Sequence, residues 1–466
     1  MGHTAAVSSE TTTAPGPRGH WFWGTLPEFR RDRLGFLLRT ARQYGGVARL
    51  GRRRPLVFLV SDPAAVKHVL QDNAENYGRN TRGVAALRET LGNGLLTTSG
   101  AAWRRNRRLA QPAFHRQRLA GFATIMAEAA AGLVTRLRGV GAAGASFDVV
   151  PEFSRVALQI VGRCLFQRDL ADEADQVGRA LRVTLHHTMD KAQSFFPLPS
   201  VLPTPANLRF HSALRTLDRL VLSLIDQRRR EGGDRGDLLS MLLLARDEDG
   251  GEGLSNAQLR DEIITLLLAG HETTAMAMAW TTYLLARHPA VQREVQREAR
   301  EAFSGVAPTL EELPRLRLAR AVLEESMRLY PPAWIVTRSA NAADRLGGHD
   351  VPAGAIVLVS PYVTHRDPRW WPDPERFDPS RFATPAEHEG GAGKPGTERP
   401  RYAYYPFGGG PHLCIGAGFA MMEATILLDT LARALTFELD DRHPVAVDAL
   451  VTLRPRHGLW FRTTPA

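Results

Sequence analysis

"FGGGPHLCIG", Phe407 to Gly416, gathers four glycines and a proline around one of the two cysteines in the chain. Glycine reaches positive φ without steric penalty and lets the backbone approach a flat ligand closely, so Gly408 and its neighbours can carry Cys414 up against something planar. A helical run from Gly416 to about Leu435 follows. Its N-terminal amides and dipole would lie at the sulfur and favour a thiolate. Two readings of the turn stand at this point: an exposed axial sulfur ligand, or a tight bend around a buried structural cysteine. Zinc fits poorly, because His412 and Cys414 have no sequence neighbours to complete four ligands.

The chain around that turn has 466 residues. That exceeds the usual single hydrophobic core, which leaves either two domains or one large enzyme domain. Hydrophobic residues at 44% and charged residues at 23% are ordinary globular values and exclude a disordered or collagenous chain. Two cysteines, Cys164 and Cys414, exclude a disulfide framework and point to a reducing cytoplasm. Neither a run of about 18 apolar residues nor a signal-peptide pattern is read, so a soluble protein without a transmembrane anchor is expected. Basic residues number 59 against 49 acidic, a net charge of +10. The arginine clusters Arg52–Arg54, Arg104–Arg108 and Arg228–Arg230 come without a nucleic-acid motif, leaving a solvated basic surface or a docking face for an acidic protein.

Residues 1–14 are rich in Ser, Thr and Ala and read as a disordered tail, with one domain from 15 to 466. "GGVARLGRRRPLVFLVSDP" (Gly45–Pro63) reads as a hairpin followed by a turn into a helix at Pro63. From about residue 100 to 330 the pattern is helical, interrupted at Phe195–Asn207 and Glu231–Asp237. Strand-like runs such as Ala355–Ser360 follow, then a Pro/Gly/Asp-rich stretch whose "HEGGAGKPGTERP" reads as a mobile surface loop. Mainly α with a smaller β-rich part is the fold class expected.

Three further stretches carry polar groups at helical spacing. "AGHETT" (Ala269–Thr274) sits inside a long helix that starts at Ser255, with Gln258 completing a capping box, and ends before Pro289. The run Ile263 to Leu268 buries its centre, where Glu272 and two threonines are costly unless they pair or function. Threonine can also bond back one turn and open the helix locally. "EESMR" sets Glu325 and Arg328 at i, i+3, and "WRRNRR" sets Trp103 and Arg107 at i, i+4. Taken singly, these are a satisfied polar knot, a surface ion pair and a basic helix face.

With the cysteine turn they resemble the cytochrome P450 monooxygenases. That family's haem-binding pattern is Phe, two residues, Gly, one residue, Arg or His, one residue, Cys, one residue, Gly, met here by Phe407, Gly410, His412, Cys414 and Gly416. The resemblance spans about 450 residues, favours one domain, and implies the P450 fold with its long central helix over the haem. It implies haem b with the Cys414 thiolate as axial iron ligand, Trp103, Arg107, Arg338 and His412 at the propionates, and Phe407, Gly408 and Gly416 in the ligand turn. It implies that Glu272 and Thr273 are the acid–alcohol pair that delivers protons. It implies a clamp of Glu325, Arg328 and Arg376, the last from "PERF" (Pro374–Phe377). The pocket would be lined by Gly83–Leu96, Leu185–Val201, Leu267, Leu268, Ala269, Ala333, Trp334, Ile335 and Val336. There Trp334 narrows the space and His186, His187 and Asp190 offer polar contacts if they point inward.

The reaction so implied is oxidation of a hydrophobic small molecule, such as a terpenoid, fatty acid or steroid, with O2 and two electrons. No flavin or nicotinamide fingerprint is fused to the chain, so a separate ferredoxin with its reductase, or a flavodoxin, is expected at Arg104, Arg105 and Arg108. A peroxygenase, an isomerase or a non-catalytic haem sensor would use the same cysteine but has less use for an intact Glu272–Thr273 pair. Cys164 reads as a core residue. "HWFWGTLPEF" (His20–Phe29) reads as an ordinary packed segment, with contact to a membrane as the other possibility.

Overall fold

The structure, a computed structural model, describes residues 13–51, 55–142, 144–194, 196, 198–245, 253–302, 308–382 and 399–466. Most of the expected tail, and most of the "HEGGAGKPGTERP" loop, lie outside these residues. Packing begins at Ala14, one residue earlier than expected: its side chain is buried in the sheet cluster, and the Pro15 carbonyl accepts the Arg49 N–H at 2.8 Å.

The expected hairpin forms from Val47–Arg49 and Val57–Val60. It belongs to a five-stranded sheet in the order Val47–Arg49, Val57–Val60, Ile356–Val359, Val336–Ala340, Tyr77–Gly78. One pairing in it, Val57–Val60 with Ile356–Val359, is parallel and joins chain segments about 300 residues apart. The Asp62 carboxylate accepts the N–H groups of Ala64 and Ala65 and starts the helix at Pro63. A three-stranded sheet of Phe147–Asp148, Trp460–Pro465 and Leu435–Leu439 closes the other end of the chain.

Helices fill the rest. The central one, Asn256–Arg287, has 32 residues and starts at the capping box of Ser255 and Gln258. At 1.5 Å per residue it is about 48 Å long, enough to cross the molecule. Gly270 lets it approach the Val149–Phe166 helix, since a Cβ there would meet Val161 Cγ2 at 2.8 Å. Cys164 of that second helix is buried, and burial pushes its thiol well up, as suits a core cysteine. Among the described residues one helix, Gln117–Gly141, is long and apolar enough to cross a membrane by length and composition. Its Met126, Ala130, Leu133 and Leu137 are fully buried in the main core, so here it serves as a packed helix.

The Glu325–Arg328 pair is no surface contact: both side chains are fully buried. All five guanidinium donors of Arg328 are used. Nε and Nη2 donate to the two Glu325 oxygens at 2.7 and 2.8 Å. The rest reach the carbonyls of His365, Pro374 and Arg376 at 2.9, 2.7 and 3.0 Å. The expected third member is corrected by this geometry. Arg376 contributes only its carbonyl and its side chain is exposed, whereas Arg381 brings its Nε to 3.5 Å from Glu325. The turn through Asp378, whose N–H donates to Glu325 at 2.9 Å, aims the later arginine inward.

Glu262, in the second turn of the long helix, accepts the Leu95 N–H at 3.1 Å and a side-chain N–H of Asn106. Burial pushes its carboxyl up from 4.5 to about 7. A group that holds its proton more tightly folded than unfolded stabilises fully below the unfolded value, and that stabilisation is lost as pH rises through the folded one. Raising the pH from about 4.5 to about 8 is therefore expected to cost roughly 3 kcal/mol through Glu262. Urea unfolding across that range should be flatter in Glu262→Gln by this amount; equal slopes would refute it.

Candidate functional site

A cavity of about 1330 Å³ runs beneath the central helix. Cys414 lies in its wall, accessible from the cavity although ringed by protein. The turn that carries it has Gly408 at φ 76° and Gly410 at φ 62°, both in the region that favours glycine. A Cβ at Gly410 would also sit 1.9 Å from the Leu70 carbonyl oxygen, so the turn is pressed onto the preceding layer. The Cys414 N–H donates to the Phe407 carbonyl at 3.0 Å and closes the loop.

The following helix starts at Ala417, as expected within a residue. Its effect on the sulfur is smaller than expected. Burial raises the thiol above its ordinary value, and the Gly416 N–H and the Arg107 charge only partly offset this. A cation coordinated at the sulfur would favour the thiolate against this burial.

Along one edge of the cavity stand five donors. Arg107 donates to the Leu413 carbonyl at 2.7 Å, and the Trp103 ring packs on His412 with centroids 4.1 Å apart. Arg338 is buried and donates to the Thr337 carbonyl at 3.0 Å. The fifth, Arg79, is one that sequence reasoning missed. It donates to the carbonyls of Leu95 and Thr98 at 2.7 and 3.0 Å and stands 2.9 Å from His412 Nδ1. A guanidinium only donates, so Nδ1 accepts and Nε2 carries the proton. Burial and the charge of Arg79 push His412 down to about 3, which makes it a neutral donor.

Burial lowers Arg79 to about 9 and Arg338 to about 10. Among the described residues neither has a carboxylate partner. Buried uncompensated cations are costly, so this edge calls for an anionic group. No local motif marks Arg79; only the fold brings it opposite His412, 333 residues away.

On the central helix Thr273 Oγ1 faces the cavity and donates to the Ala269 carbonyl at 2.6 Å, without interrupting the helix. Glu272 also lines the cavity, with its carboxylate tied to the far wall. Its Oε1 accepts from Thr452 Oγ1 at 2.9 Å and from Arg454 Nη1 at 2.5 Å, both on the C-terminal hairpin. Burial raises its carboxyl while Arg454 and Thr452 work against that. Sequence reasoning missed Thr452 and Arg454, which lie 180 and 182 residues away.

Leu268, Ala269, Ala333, Trp334, Ile335 and Val336 all line the cavity, whereas Leu267 does not. Trp334 is only 1% exposed, and its indole N–H donates to the Leu450 carbonyl at 2.7 Å. It builds wall and does not project into the space, which corrects the expected constriction. His186, His187 and Asp190 are corrected too: none lines the cavity. His187 instead stacks on Phe210 at 3.9 Å and lies 3.5 Å from Glu89. Thr184 and Thr188, on the inner face of the same helix, supply the polar contacts. Helical phase explains the exchange, since residues 184, 185 and 188 share a face that 186, 187 and 190 do not.

A sequence-family model described as Cytochrome P450 matches residues 14–460. The chain belongs to the cytochrome P450 family. It is 38% identical over 389 residues to "Cyclooctatin synthase" of Streptomyces melanosporofaciens, covering 82% of this chain and 81% of that one. It is 36% identical over 387 residues to "Cyclooctat-9-en-7-ol 5-monooxygenase" of the same organism, covering 82% and 80%. It is 37% identical over 379 residues to "Pentalenene oxygenase" of Streptomyces avermitilis, covering 81% of each.

As a P450 the protein is a haem-thiolate monooxygenase that uses O2 and a redox partner to oxidise a hydrophobic small molecule, and its cofactor is haem b. The cavity suits that cofactor. It offers one accessible sulfur, a glycine turn that lets a flat ring come close, and a row of donors short of negative charge, which two propionates would supply.

Proposed function

We propose that this P450 oxidises a cyclic terpenoid, and that Cys414 would bind the haem iron while Arg79, Arg107, Arg338, His412 and Trp103 would hold the propionates. The observation that carries the reading is the joining of Cys414 and the unneutralised donor edge to one large apolar cavity. The substrate class is supported by the hydroxyls that Thr184, Thr188 and Thr265 bring to the cavity away from the donor edge, and by the names of the relatives. Hydroxyls suit a compact ring system of low polarity. One domain from residue 15 to 466, in the cytoplasm, is part of the same reading.

Haem supplies oxygen activation and oxidation of the substrate carbon; the chain supplies ligand, protons and shape. Leu268, Ala269 and the residues Ala333–Val336 exclude water and orient the substrate. Thr273 Oγ1 donates its hydrogen bond to the Ala269 carbonyl, which leaves its lone pairs to hold a water in the cavity. Glu272 stores a proton behind that hydroxyl, under the restraint of Arg454. The two groups share no direct hydrogen bond among the described residues, so transfer between them runs through water.

Electrons arrive from a separate ferredoxin or flavodoxin. The Gly100–Ala110 helix, with Arg104 and Arg108 exposed and Arg107 bonded to the cysteine turn, is the proposed docking face.

The test is the carbon monoxide difference spectrum of the reduced protein, followed by spin-state titration with cyclic terpenes, fatty acids and steroids. A strongly red-shifted Soret band with a shift on cyclic terpenes alone supports the reading. A band typical of histidine ligation would overturn Cys414, and a response to fatty acids only would overturn the substrate class. Thr273→Ala is expected to keep the spectrum but send most reducing equivalents to peroxide; unchanged coupling of reductant to product would remove Thr273 from its role.

A further inference from the structure

Glu262 is a buried carboxyl that the oxidation does not use, 1% exposed on the second turn of the central helix. Its two oxygens reach two different segments. Oε2 accepts the Leu95 N–H at 3.1 Å, and Oε1 accepts a side-chain N–H of Asn106 on the Gly100–Ala110 helix. Residues 92–98, which include Leu95, are pressed onto the same turn: a Cβ at Gly94 would meet Thr265 Oγ1 at 2.3 Å and the Asp261 carbonyl oxygen at 2.5 Å. The Asn93 N–H donates to Asp261 Oδ2 at 2.7 Å. That stretch therefore lies where Asp261 and Glu262 hold it.

Leu95 is gripped from its other side by Arg79. Arg79 Nη1 donates to the carbonyls of Leu95 and Thr98 at 2.7 and 3.0 Å, and Arg79 Nη2 then meets His412 Nδ1 at 2.9 Å. His412 packs on Trp103, which stands three residues before Asn106 on one helix. The contacts close into a ring that runs from Glu262 through Leu95, Arg79, His412, Trp103 and Asn106 back to Glu262. A buried carboxyl on one side of the molecule's donor edge is thereby joined to it through bonded neighbours.

The charges around Glu262 are accounted for. Asp261 acts on it and opposes ionisation; it is itself 3.0 Å from Arg260, which pairs with Asp218 of the Pro205–Glu231 helix at 2.5 Å. Residues 92–98 and the Leu238–Leu244 helix bring no charge. Arg88 of the Arg82–Leu91 helix donates to the Thr97 carbonyl at 2.8 Å, and Arg163 of the Val149–Phe166 helix pairs with Glu128 at 2.5 Å. Arg104, Arg105, Arg107 and Arg108 flank Asn106 on its helix; Arg104 and Arg108 are exposed and Arg107 is bonded to Leu413. Burial therefore dominates and brings the carboxyl to about 7. Near that pH His412 is neutral and Arg79 is charged.

We infer that Glu262 is a positioning residue for the haem: as a carboxylate it holds Leu95 so that Arg79 is set for a propionate, and as a neutral acid it lets that donor slacken. An ionised oxygen makes the stronger hydrogen bond to an N–H. Protonation turns one of the two oxygens into an O–H donor, so the bond accepted there weakens. Haem retention then follows the protonation of a side chain that never touches the haem. The inference rests on the propionate role proposed above for Arg79.

Holoprotein is mixed with excess apomyoglobin, and the transfer of haem is timed at about pH 6 and about pH 8. Wild type is expected to lose haem faster at the lower pH, by a ratio at least about threefold larger than that of Glu262→Gln, which keeps the shape but cannot ionise. Glu262→Gln should fold, because burial favours the neutral form. Arg79→Ala should lose haem faster than wild type at both pH values, and adding Glu262→Gln to it should change little, since the two residues act through one chain of contacts. Equal pH ratios for wild type and Glu262→Gln overturn the role of Glu262 while leaving Arg79 in place. So does a Glu262→Gln effect that persists in full beside Arg79→Ala. Haem loss from Arg79→Ala no faster than from wild type overturns the propionate role of Arg79, and the role of Glu262 with it.

Discussion

Cys414→Ala is expected to erase the red-shifted carbon monoxide band and to lower monooxygenase turnover by about 1000-fold or more, a barrier rise of ~4 kcal/mol. Cys164 cannot stand in, because it is buried in the core and its thiol is pushed well up. The variant should still fold, since Cys414 faces the cavity and its backbone N–H bond to Phe407 does not need the sulfur. Circular dichroism and a urea midpoint close to wild type would confirm that the loss is one of ligation. A variant that retains the band would remove Cys414 from the iron.

The second large effect is expected far from the chemistry. Arg328→Ala strands the Glu325 carboxylate in a fully buried site and leaves three carbonyls without donors, a loss of ~3–5 kcal/mol. Little folded protein should accumulate. Arg328→Lys should recover little of it, because an ammonium has three donors and no planar fork for five acceptor contacts. The neighbouring arginines separate the side-chain roles. Arg381→Ala should destabilise through Glu325, while Arg376→Ala should stay within about 0.5 kcal/mol, since only its carbonyl is used. Urea midpoints of the four variants decide this, and equal losses for Arg376→Ala and Arg381→Ala would show the assignment to be wrong.

Where sequence reasoning succeeded, it read local periodicity and short-range polar chemistry. The capping box of Ser255 and Gln258 is a four-residue feature, and it set the start of the central helix to the residue. The Asp62–Pro63 start and the Val47–Val60 hairpin are equally local. The Arg376 expectation failed because two arginines five residues apart are equivalent on paper. Only the turn at Asp378 decides which of them faces Glu325. His187 and Asp190 failed on helical phase, which becomes fixed when the Ala174–Gln193 helix packs its inner face over the cavity.

By itself, then, the sequence determined the fold class, the central helix, the cysteine turn and the family, because each is read from short local patterns, a capping box, a helical period or a motif of fixed spacing, that recur in order along the chain. Only the tertiary structure decided that Glu272 is held by Thr452 and Arg454, that Arg79 meets His412, and that Trp21 and Val201 stand out exposed. The physical reason is the same in each case. Buried charges must be paired, and apolar tips are exposed or covered, by whatever the packed chain brings beside them, and those neighbours come from segments whose separation along the chain carries no local signal.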